Sequence, residues 1–334
     1  MKIYGKLLCF IMILTIIASL LSGCSKSELT TIRLNEVVRS IFYTPQYVAI
    51  SKGFFEEQGI KIDLTTGQGA DKTMTALLSD QCDIGFAGPE SCIYVYNQGK
   101  EDHAVIFAQL TKCDGSFLVA REPDPNFNWK KTAGKTIIGG RPGGVPEMTL
   151  EYVLKKNGVV PGKDVNVITN LQFTATAGAF KGGTGDYVAL FEPTASMLEK
   201  EKAGSIVASI GKDSGLISYT AYFAKKSYIE KNPDIIQRFT NALYKGQLWV
   251  QNNKAEDIAK ELKPFFPDAD DEILATVVNR YKEIDAWNDK PISIPESFER
   301  LQEVMVTAGE LDKRVEYDAL FNDKFAEEAV KKIK

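Results

Sequence analysis

The stretch from Cys82 to Ser91, CDIGFAGPES, constrains the fold more than any other part of the chain. It has the pattern of a short buried strand at 84–87, followed by Gly88-Pro89 and then by a helix. Gly88 permits a tight turn, and Pro89 suits a first helical turn, where its missing N–H has no partner to lose. A strand, a sharp turn and a helix N-terminus form the ligand site of many open α/β sheets, at the carboxyl ends of the strands.

The same arrangement recurs at three other places. Strand patterns at 62–66, 136–138 and 187–191 each run into a turn that contains glycine or proline. Strands that alternate with helices predict mostly parallel sheets covered on both faces. The chain is therefore predicted to be an α/β protein with a cleft lined by several loops.

The first residues have the pattern of a lipoprotein signal peptide. Lys2 and Lys6 precede an apolar run at 7–21, which ends in the sequence LSGC at Cys24. A basic start, an apolar segment and small residues before a cleavage site are typical of a secretory signal. The sequence LSGC resembles the lipobox of bacterial lipoproteins, in which the thiol of Cys24 takes a diacylglycerol. A transmembrane anchor is the alternative, although the run is short for one.

Composition narrows the range of partners and chemistry. Without Lys2 and Lys6 the chain has 38 basic and 44 acidic residues, a formal charge of −6, and no basic block. Nucleic acid is therefore not an expected partner. His103 is the only histidine, which argues against a multi-histidine metal site and a histidine-activated nucleophile. No cofactor or metal is expected.

Three cysteines remain once Cys9 and Cys24 are assigned to the N-terminal signal. Cys82, Cys92 and Cys113 are an odd number and lack the spacing of metal ligands. We expect them to be buried free thiols.

Hydrophobic periodicity predicts the order of the elements. Strands are expected at 31–37, 61–66, 84–87, 104–110, 117–120, 135–138, 165–169, 187–191, 205–210 and 220–224. The strands at 205–210 and 220–224 are placed at a return crossing between two domains. After Ser227 the pattern is helical, and these helices are expected to pack on the first domain.

Several local signals together point to a family. They are the lipobox, Tyr47-Val48-Ala49 with KGFF at 52–55, Asp83-Ile84-Gly85, Phe191-Glu192-Pro193, and the all-helical C-terminal part. With them the chain resembles the solute-binding lipoproteins of ABC importers, in the group for nitrate, sulfonate, taurine and thiamine precursors. The resemblance covers essentially the whole mature chain.

The resemblance implies a type II periplasmic-binding-protein fold. Two Rossmann-like α/β lobes with mostly parallel sheets are joined by a two-segment hinge, and a small-molecule solute is trapped between them. It also implies a monomer without enzyme activity, tethered to the outer face of the cell membrane by its lipid, with an ABC permease and ATPase as partners. The expected parts are a signal peptide at 1–23, a tether at 24–29, lobe I at 30–117 and 221–334, and lobe II at 118–220.

The turns that follow the predicted strands supply the candidate ligand-binding residues. They are Ser40, Phe42, Tyr43, Gly67, Gln68, Gly88, Glu90, Ser91, Gln109 and Asp114 in lobe I, Arg141, Gly143, Gly144, Glu147 and Glu192 in lobe II, and Tyr219 and Tyr222 at the return hinge.

Structural roles for some of these residues remain open. Phe42 and Tyr43 could be core aromatics, and the glycines are needed for turns whatever binds. Glu90 and Glu147 could be first-turn residues that complement a helix dipole. Arg141 could pair with Glu147 across its own turn.

The charges in these loops favour one class of ligand. Glu90, Asp114 and Glu192 fall among the candidates, and Arg141 is the only cation there. An anion beside unpaired carboxylates would be costly, so we expect a planar nitrogenous solute such as an aminopyrimidine thiamine precursor. An alkanesulfonate, taurine or nitrate is the alternative, because helix N-termini alone can hold anions. Two rival functions also stay open, a sensor lipoprotein without a transporter and an enzyme on the same fold.

Overall fold

The structure is a computed structural model and describes residues 28–333. The signal peptide predicted at 1–23, the lipidation site Cys24 and residues 24–27 of the predicted tether lie outside the described residues. Between residues 28 and 333, no helix is both long enough and apolar enough to cross a membrane.

The strands of the described chain form two five-stranded sheets. The strands are β1 (Thr30–Glu36), β2 (Ile60–Thr66), β3 (Ile84–Ala87), β4 (Ala104–Thr111), β5 (Ser116–Ala120), β6 (Thr136–Ile138), β7 (Asn166–Ile168), β8 (Tyr187–Phe191), β9 (Ser205–Ser209) and β10 (Thr220–Lys225). The first sheet has the order β2-β1-β3-β10-β4 and the second has the order β7-β6-β8-β5-β9.

Helices cover both sheets and make up most of the C-terminal third. They are α1 (Thr44–Ser51), α2 (Phe54–Glu57), α3 (Ala70–Leu78), α4 (Glu90–Asn97), α5 (Val145–Lys156), α6 (Thr176–Lys181), α7 (Thr194–Lys200), α8 (Ile210–Ser214), α9 (Lys226–Lys231), α10 (Pro233–Asn252), α11 (Ala255–Leu262), α12 (Asp271–Glu283), α13 (Pro295–Ala308), α14 (Tyr317–Leu320) and α15 (Lys324–Lys332). As predicted, the C-terminal helices pack mainly on the first sheet and its helices, although α13 also contacts α5.

One strand in each sheet runs against the other four. In the first sheet β10 is antiparallel to β3 and β4, and in the second sheet β5 is antiparallel to β8 and β9. Both reversed strands follow a passage from the other sheet. A strand that follows such a passage begins at the edge of the sheet where the other strands end. It therefore runs in the opposite direction to them. The predicted mostly parallel sheets are therefore confirmed as mixed sheets with four aligned strands each.

The chain passes between the two sheets at residues 112–115 and again at 210–219. Ser116 and Phe117, which the sequence analysis assigned to lobe I, pair in the second sheet, and Thr220, assigned to lobe II, pairs in the first. The strands predicted at 205–210 and 220–224 flank the second passage, and β9 pairs with β5 inside the second sheet. An apolar pattern marks a strand but does not identify its neighbour in the sheet.

The predicted state of the cysteines is confirmed. Cys82, Cys92 and Cys113 are buried free thiols. Burial raises the pKa of Cys92 well above its usual value, and it raises the pKa of Cys82 to about 12. All three are therefore inert small apolar side chains in the folded protein.

Candidate functional site

A cavity of about 290 Å³ lies between the two sheets. The first sheet contributes residues 37–38, 68–70, 88 and 90, which follow β1, β2 and β3. The second sheet contributes residues 140–142, 144–146 and 169–173, which follow β6 and β7, together with the end of β8. The cavity therefore lies at the carboxyl ends of the aligned strands, where open α/β sheets bind their ligands.

Glu90 is the buried acid of the cavity wall. The residue is 3% exposed, and its Oε2 has no hydrogen-bond partner among the described residues. Burial raises the pKa of Glu90 to about 7, although nearby backbone N–H groups and the charge of Arg141 lower it. A buried carboxyl oxygen without a partner is costly, so this group suits a ligand that brings a donor.

Gly88 makes room for the Glu90 carboxylate. A Cβ at Gly88 would lie 1.9 Å from Glu90 Oε2, so any side chain there would displace the carboxylate. Helix α4 begins at Glu90, directly after Pro89. The sequence Gly-Pro-Glu thus folds the carboxylate back over the turn at the start of the helix.

The helix N-terminus of α4 and that of α5 both face this carboxylate. Backbone N–H groups of Glu90 and Ser91 in α4 and of Val145 in α5 all lower the pKa of Glu90. These N–H groups are the donors that a free anion would use at a helix N-terminus. Glu90 therefore supplies the negative charge at the place where the two helices would otherwise attract an anion.

Arg141 is the cation of the wall, and Asp71 pairs with it. Arg141 Nη2 lies 3.2 Å from Asp71 Oδ1, and both side chains are about half exposed. The pair joins the loop after β6 to α3, on opposite sides of the cleft. Arg141 therefore pairs across the cleft, and not with Glu147 across its own turn, which was the open alternative. Such an exposed pair contributes about 0–1 kcal/mol.

A second contact also bridges the cleft. The hydroxyl of Tyr94 in α4 donates to the carbonyl oxygen of Gly143, at 3.0 Å. Gly143 has a φ of 68°, a conformation that favours glycine. The Asp71–Arg141 and Tyr94–Gly143 contacts hold the two sides of the cleft together, so the structure shows a closed arrangement.

Aromatic and apolar side chains make up much of the wall. Tyr43 belongs to the first sheet's side, Phe173 and Phe191 belong to the second, and Tyr219 lies on the second passage between the sheets. The Phe173 and Phe191 ring centroids are 5.7 Å apart, and those of Phe191 and Tyr219 are 6.3 Å apart. An apolar wall with a few placed polar groups is typical of a pocket for a small organic molecule.

The structure brings part of the predicted site set together at this cavity. The residues on its wall are Tyr43, Gln68, Gly88, Glu90, Arg141, Gly144 and Tyr219. The others lie behind the wall or away from it, and they are Ser40, Phe42, Gly67, Ser91, Gln109, Asp114, Gly143, Glu147, Glu192 and Tyr222.

Glu192 has a full set of structural partners. Its carboxylate accepts from the backbone N–H and the hydroxyl of Ser196, each at 2.8 Å. Arg280 Nη1 donates to the same carboxylate at 2.9 Å. Because these donors surround Glu192, its carboxylate joins the start of α7 to α12 and does not face the cavity.

Gln109 and Tyr222 also have structural partners. Gln109 lies inside β4 and not after it, and its side chain donates to Thr111 O at 3.0 Å and accepts from Ile294 N at 3.0 Å. The Tyr222 hydroxyl donates to Gln46 Oε1 at 3.0 Å. Both residues hold elements of the first sheet and its helices in place.

Phe42 and Ser40 are part of the core beneath the cleft. Phe42 packs against the rings of Tyr43, Phe191, Tyr219 and Tyr281. Ser40 Oγ donates to the carbonyl oxygen of Glu192 at 2.8 Å.

Gly67, Ser91 and Gly143 shape turns next to the cavity. A Cβ at Gly67 would lie 2.5 Å from Thr73 Oγ1. Ser91 Oγ donates to Gly88 O at 2.8 Å.

Glu147 lies beside another acid of its own helix. Burial and the neighbouring Glu151 raise the pKa of Glu147 above its usual value. Within residues 28–333, no group of three His, Cys, Asp or Glu side chains is arranged to hold a metal ion.

Residues 169–173, which follow β7 and include Phe173, line the cavity but were not among the predicted site residues. Val37 and Val38, which follow β1 directly, also line it and were not predicted. Both stretches lack the glycine or proline that drew attention to the other turns. Choosing the residues that follow every strand, whatever their composition, would have found both stretches.

Comparisons with known proteins agree with this architecture. The family model described as "NMT1/THI5 like" matches residues 41–256. "Putative binding protein YtlA" of Bacillus subtilis (strain 168) is 47% identical over 308 residues, which cover 92% of each chain.

Solved structures show the same fold at low sequence identity. The periplasmic nitrate-binding protein NrtA from Synechocystis PCC 6803 matches with a TM-score of 0.74 and 17% identity, over 92% of this chain and 90% of that one. The alkanesulfonate-binding protein SsuA from Xanthomonas axonopodis pv. citri, bound to MOPS, matches with a TM-score of 0.70 and 15% identity, over 89% and 99%. The desulfurization enzyme DSZB also matches, with a TM-score of 0.66 and 14% identity, over 91% and 100%.

The family match covers more than half of the chain, and the relative from Bacillus subtilis is similar along nearly its whole length. The two mixed sheets with a cavity between them are the fold that the similar periplasmic binding proteins share. The chain therefore belongs to the NMT1/THI5-like family and has the periplasmic-binding-protein fold.

Proposed function

We propose that the protein is the solute-binding lipoprotein of an ABC importer, anchored through Cys24 on the extracytoplasmic face of the membrane. Its solute is a planar nitrogenous compound, such as an aminopyrimidine thiamine precursor. The observation that carries the ligand class is the buried carboxyl of Glu90, which has an oxygen without a protein partner and lies on an otherwise mostly apolar, aromatic wall.

The two-sheet architecture supports capture by closure. Lobe I, which contains the first sheet, and lobe II, which contains the second, meet at the two passages 112–115 and 210–219. Rotation about these two short segments would open the cavity, as in other hinge proteins. A solute that contacts both walls favours the closed form by its higher affinity for that form.

The charges support a ligand that donates hydrogen bonds. Glu90 is the buried acid of the wall, and the wall cation Arg141 is already paired with Asp71. An amino or amidine group can donate to Glu90 Oε2, and a ring can pack on Tyr43, Phe191 or Tyr219. An anion in the same place would face the Glu90 carboxylate at close range, which is costly in a buried site.

The second candidate is an alkanesulfonate, taurine or nitrate. Similar structures of proteins named for nitrate and alkanesulfonate favour it, and protonation of Glu90 would remove the repulsion. Against it, the Glu90 carboxylate lies beside the N-termini of α4 and α5, so an anion bound there would meet a second negative charge.

Binding without catalysis is also part of the proposal. The wall, as far as residues 28–333 describe it, contains no cysteine, histidine, lysine or serine. These residues are the usual nucleophiles and bases of covalent catalysis. A sensor lipoprotein would bind the same solute, so binding alone does not separate a sensor from an importer. Loss of solute uptake when the partner permease is deleted would identify the importer.

A thermal-shift screen of residues 25–334 tests the function. The compounds are 4-aminopyrimidine, 4-amino-5-hydroxymethyl-2-methylpyrimidine, thiamine, adenine, benzamidine, ethanesulfonate, taurine and nitrate. A compound at 100 times its dissociation constant stabilises the folded state by about 2.7 kcal/mol. Stabilisation by nitrogenous ring compounds alone supports the proposal. Stabilisation by sulfonates or nitrate alone overturns the proposed ligand class, and conversion of a compound during incubation overturns the non-enzyme assignment.

A further inference from the structure

Two threonine hydroxyls meet at the cleft edge of the first sheet. Thr111 ends β4 and Thr220 begins β10, and the two residues pair in the antiparallel ladder. Their hydroxyl oxygens are hydrogen-bonded to each other, and either oxygen has the geometry to donate. Thr220 lies on the cavity wall, whereas Thr111 lies behind it and is fully buried. The direction of this hydrogen bond therefore decides what Thr220 can offer a ligand.

A count of the protons shows that one hydroxyl of the pair has a proton to spare. Thr111 Oγ1 also accepts from the backbone N–H of Thr220, at 2.9 Å. Each hydroxyl carries one proton, and the single hydrogen bond between the two oxygens uses only one of them. Within residues 28–333 neither hydroxyl has a further acceptor. The second proton must therefore find its acceptor outside the protein or remain without one.

The positions of the two residues decide which proton is spare. If Thr220 donated to Thr111, the Thr111 proton would be fully buried behind the wall with no acceptor, which is costly. If Thr111 donates to Thr220, the spare proton belongs to Thr220 on the wall. A ligand in the cavity can then accept it, and no buried donor is left without a partner.

We propose that Thr220 is a specificity-determining residue that donates its hydroxyl proton to an acceptor on the solute, and that Thr111 orients it by donating to its oxygen. The inference rests on the proposed function, since it assumes that the cavity is the ligand site. It adds a hydrogen-bond donor to a wall whose buried acid, Glu90, offers an acceptor.

The threonine pair does not depend on closure of the cleft. Thr111 and Thr220 belong to neighbouring strands of the same sheet, so their hydrogen bonds stay intact when the two sheets move apart. The donor is therefore oriented before the solute arrives. A group that is already oriented adds more to affinity than one that must be ordered on binding.

A solute that fits this wall carries an acceptor as well as a donor. An aminopyrimidine has both, because its amino group can donate to Glu90 and a ring nitrogen can accept from Thr220. A guanidinium or alkylammonium compound has donors alone, and a sulfonate or nitrate has acceptors alone. The Tyr219 hydroxyl, also on the wall, can donate or accept and so excludes none of these classes. The solute class is thereby narrowed to neutral amino heterocycles.

The first test needs no ligand. Neutron diffraction from deuterium-exchanged crystals of the protein locates the deuterons on the two threonine hydroxyls. The deuteron on Thr111 Oγ1 should point to Thr220 Oγ1, and the deuteron on Thr220 should point into the cavity. A Thr220 deuteron that points to Thr111 overturns the inference, whatever the cavity binds.

The second test measures selectivity. Calorimetry at pH 7.5 compares 4-aminopyrimidine with aniline, which has the same amino group on a ring without nitrogen acceptors. The wild type should bind 4-aminopyrimidine more tightly. Thr220→Val replaces the hydroxyl by a methyl group and should weaken binding of 4-aminopyrimidine by about tenfold. Binding of aniline should be nearly unchanged in this variant, because aniline has no ring nitrogen to accept the proton.

A conservative variant separates this role from a structural one. Thr220→Ser keeps the hydroxyl and should keep the preference for 4-aminopyrimidine. Unchanged affinity for 4-aminopyrimidine in Thr220→Val overturns the inference, and so does an equal loss of affinity for both compounds. A wild type that binds neither compound overturns the proposed ligand class instead, and the neutron structure still decides whether Thr111 donates to Thr220.

Discussion

Two buried glutamates of similar local sequence have opposite surroundings. Glu90 follows the proline in Gly88-Pro89-Glu90, begins a helix and keeps one oxygen without a protein partner. Glu192 precedes the proline in Glu192-Pro193 and accepts from Ser196 and Arg280. Glu192 caps the helix that follows it by accepting from the backbone N–H of Ser196, whereas Glu90 is itself the first residue of its helix. Only the Glu192 carboxylate also has an arginine as a partner.

Neutralising these two acids should change stability in opposite directions. In the ligand-free protein at pH 7.5, Glu90→Gln removes a buried charge that lacks a full set of donors and should stabilise the fold by about 1 kcal/mol. Glu192→Gln leaves Arg280 without its buried partner and should destabilise the fold by about 2 kcal/mol. Urea unfolding measures both. Destabilisation by Glu90→Gln as large as that by Glu192→Gln would contradict the contrast drawn between the two sites.

Stability should depend on pH through Glu90. Its pKa in the folded state, about 7, lies above the value of about 4.3 expected in the unfolded chain. The folded state therefore binds the proton more tightly, and its stability falls as the pH rises from about 4.5 to 7, then stays level. Urea unfolding at pH 5 and pH 7.5 should show a smaller loss in Glu90→Gln than in the wild type, by about 2 kcal/mol. Equal losses in the two proteins would show that Glu90 titrates normally.

At the scale of single elements, a close contact between two helices stabilises the first sheet's side. Gly246 in α10 lies against α1, where an added Cβ would be 2.4 Å from the carbonyl oxygen of Pro45 and 2.9 Å from the Cβ of Ala49. The two helices can approach this closely because Gly246 has no side chain. Helix α1 in turn carries Gln46 and Tyr47, which bind the buried Glu36 at the end of β1.

Gly246→Ala should therefore destabilise the protein although alanine favours helices. Helix propensity alone would raise the free energy of unfolding by about 1 kcal/mol. Overpacking against Pro45 lowers it by about 1–3 kcal/mol, which we expect to outweigh the gain. Gly178→Ala in α6 is the matched control, because nothing lies within 4 Å of a Cβ there, and it should stabilise. Thermal unfolding compares the two. A gain in stability in both variants would mean that the α1–α10 contact tolerates a methyl group.

The sequence predicted reliably where the strands lie along the chain. It predicted less reliably which strands pair in the sheets. The strand at 84–87 is confirmed to the residue, because a short apolar run and the Gly-Pro boundary are local signals. The sheet partner of the strand at 205–210 was not predicted, because β5 is about 90 residues away along the chain. In the same way, choosing the residues that follow each predicted strand placed Gly88 and Arg141 correctly at strand ends. It could not show that Gln109 lies inside β4 and not in the cleft.

At the scale of the whole molecule, two contacts between the sides of the cleft hold it closed without a ligand. Tyr94 donates to Gly143 O, and Asp71 pairs with Arg141. These contacts can exist only when the two sides of the cleft are together. They therefore bias the equilibrium between open and closed forms and add to ligand affinity without touching the ligand.

Tyr94→Phe should weaken binding by shifting this equilibrium. One hydrogen bond contributes about 0.5–1.5 kcal/mol, so the dissociation constant should rise about threefold to tenfold, with no change in the preference among ligands. Calorimetry measures the affinity, and X-ray scattering without ligand should show a larger radius of gyration than in the wild type. An unchanged affinity and an unchanged radius of gyration would mean that this contact does not stabilise the closed form.

We expect Glu90 to make the cavity select a solute that donates hydrogen bonds. The most direct test is calorimetric titration of the wild type and Glu90→Gln, at pH 7.5, with 4-amino-5-hydroxymethyl-2-methylpyrimidine and with ethanesulfonate. The account predicts that the wild type binds the aminopyrimidine and that Glu90→Gln binds it at least about tenfold more weakly. Ethanesulfonate should bind the variant at least as well as the wild type. Tight binding of ethanesulfonate by the wild type, together with no response to the aminopyrimidine, would contradict the account.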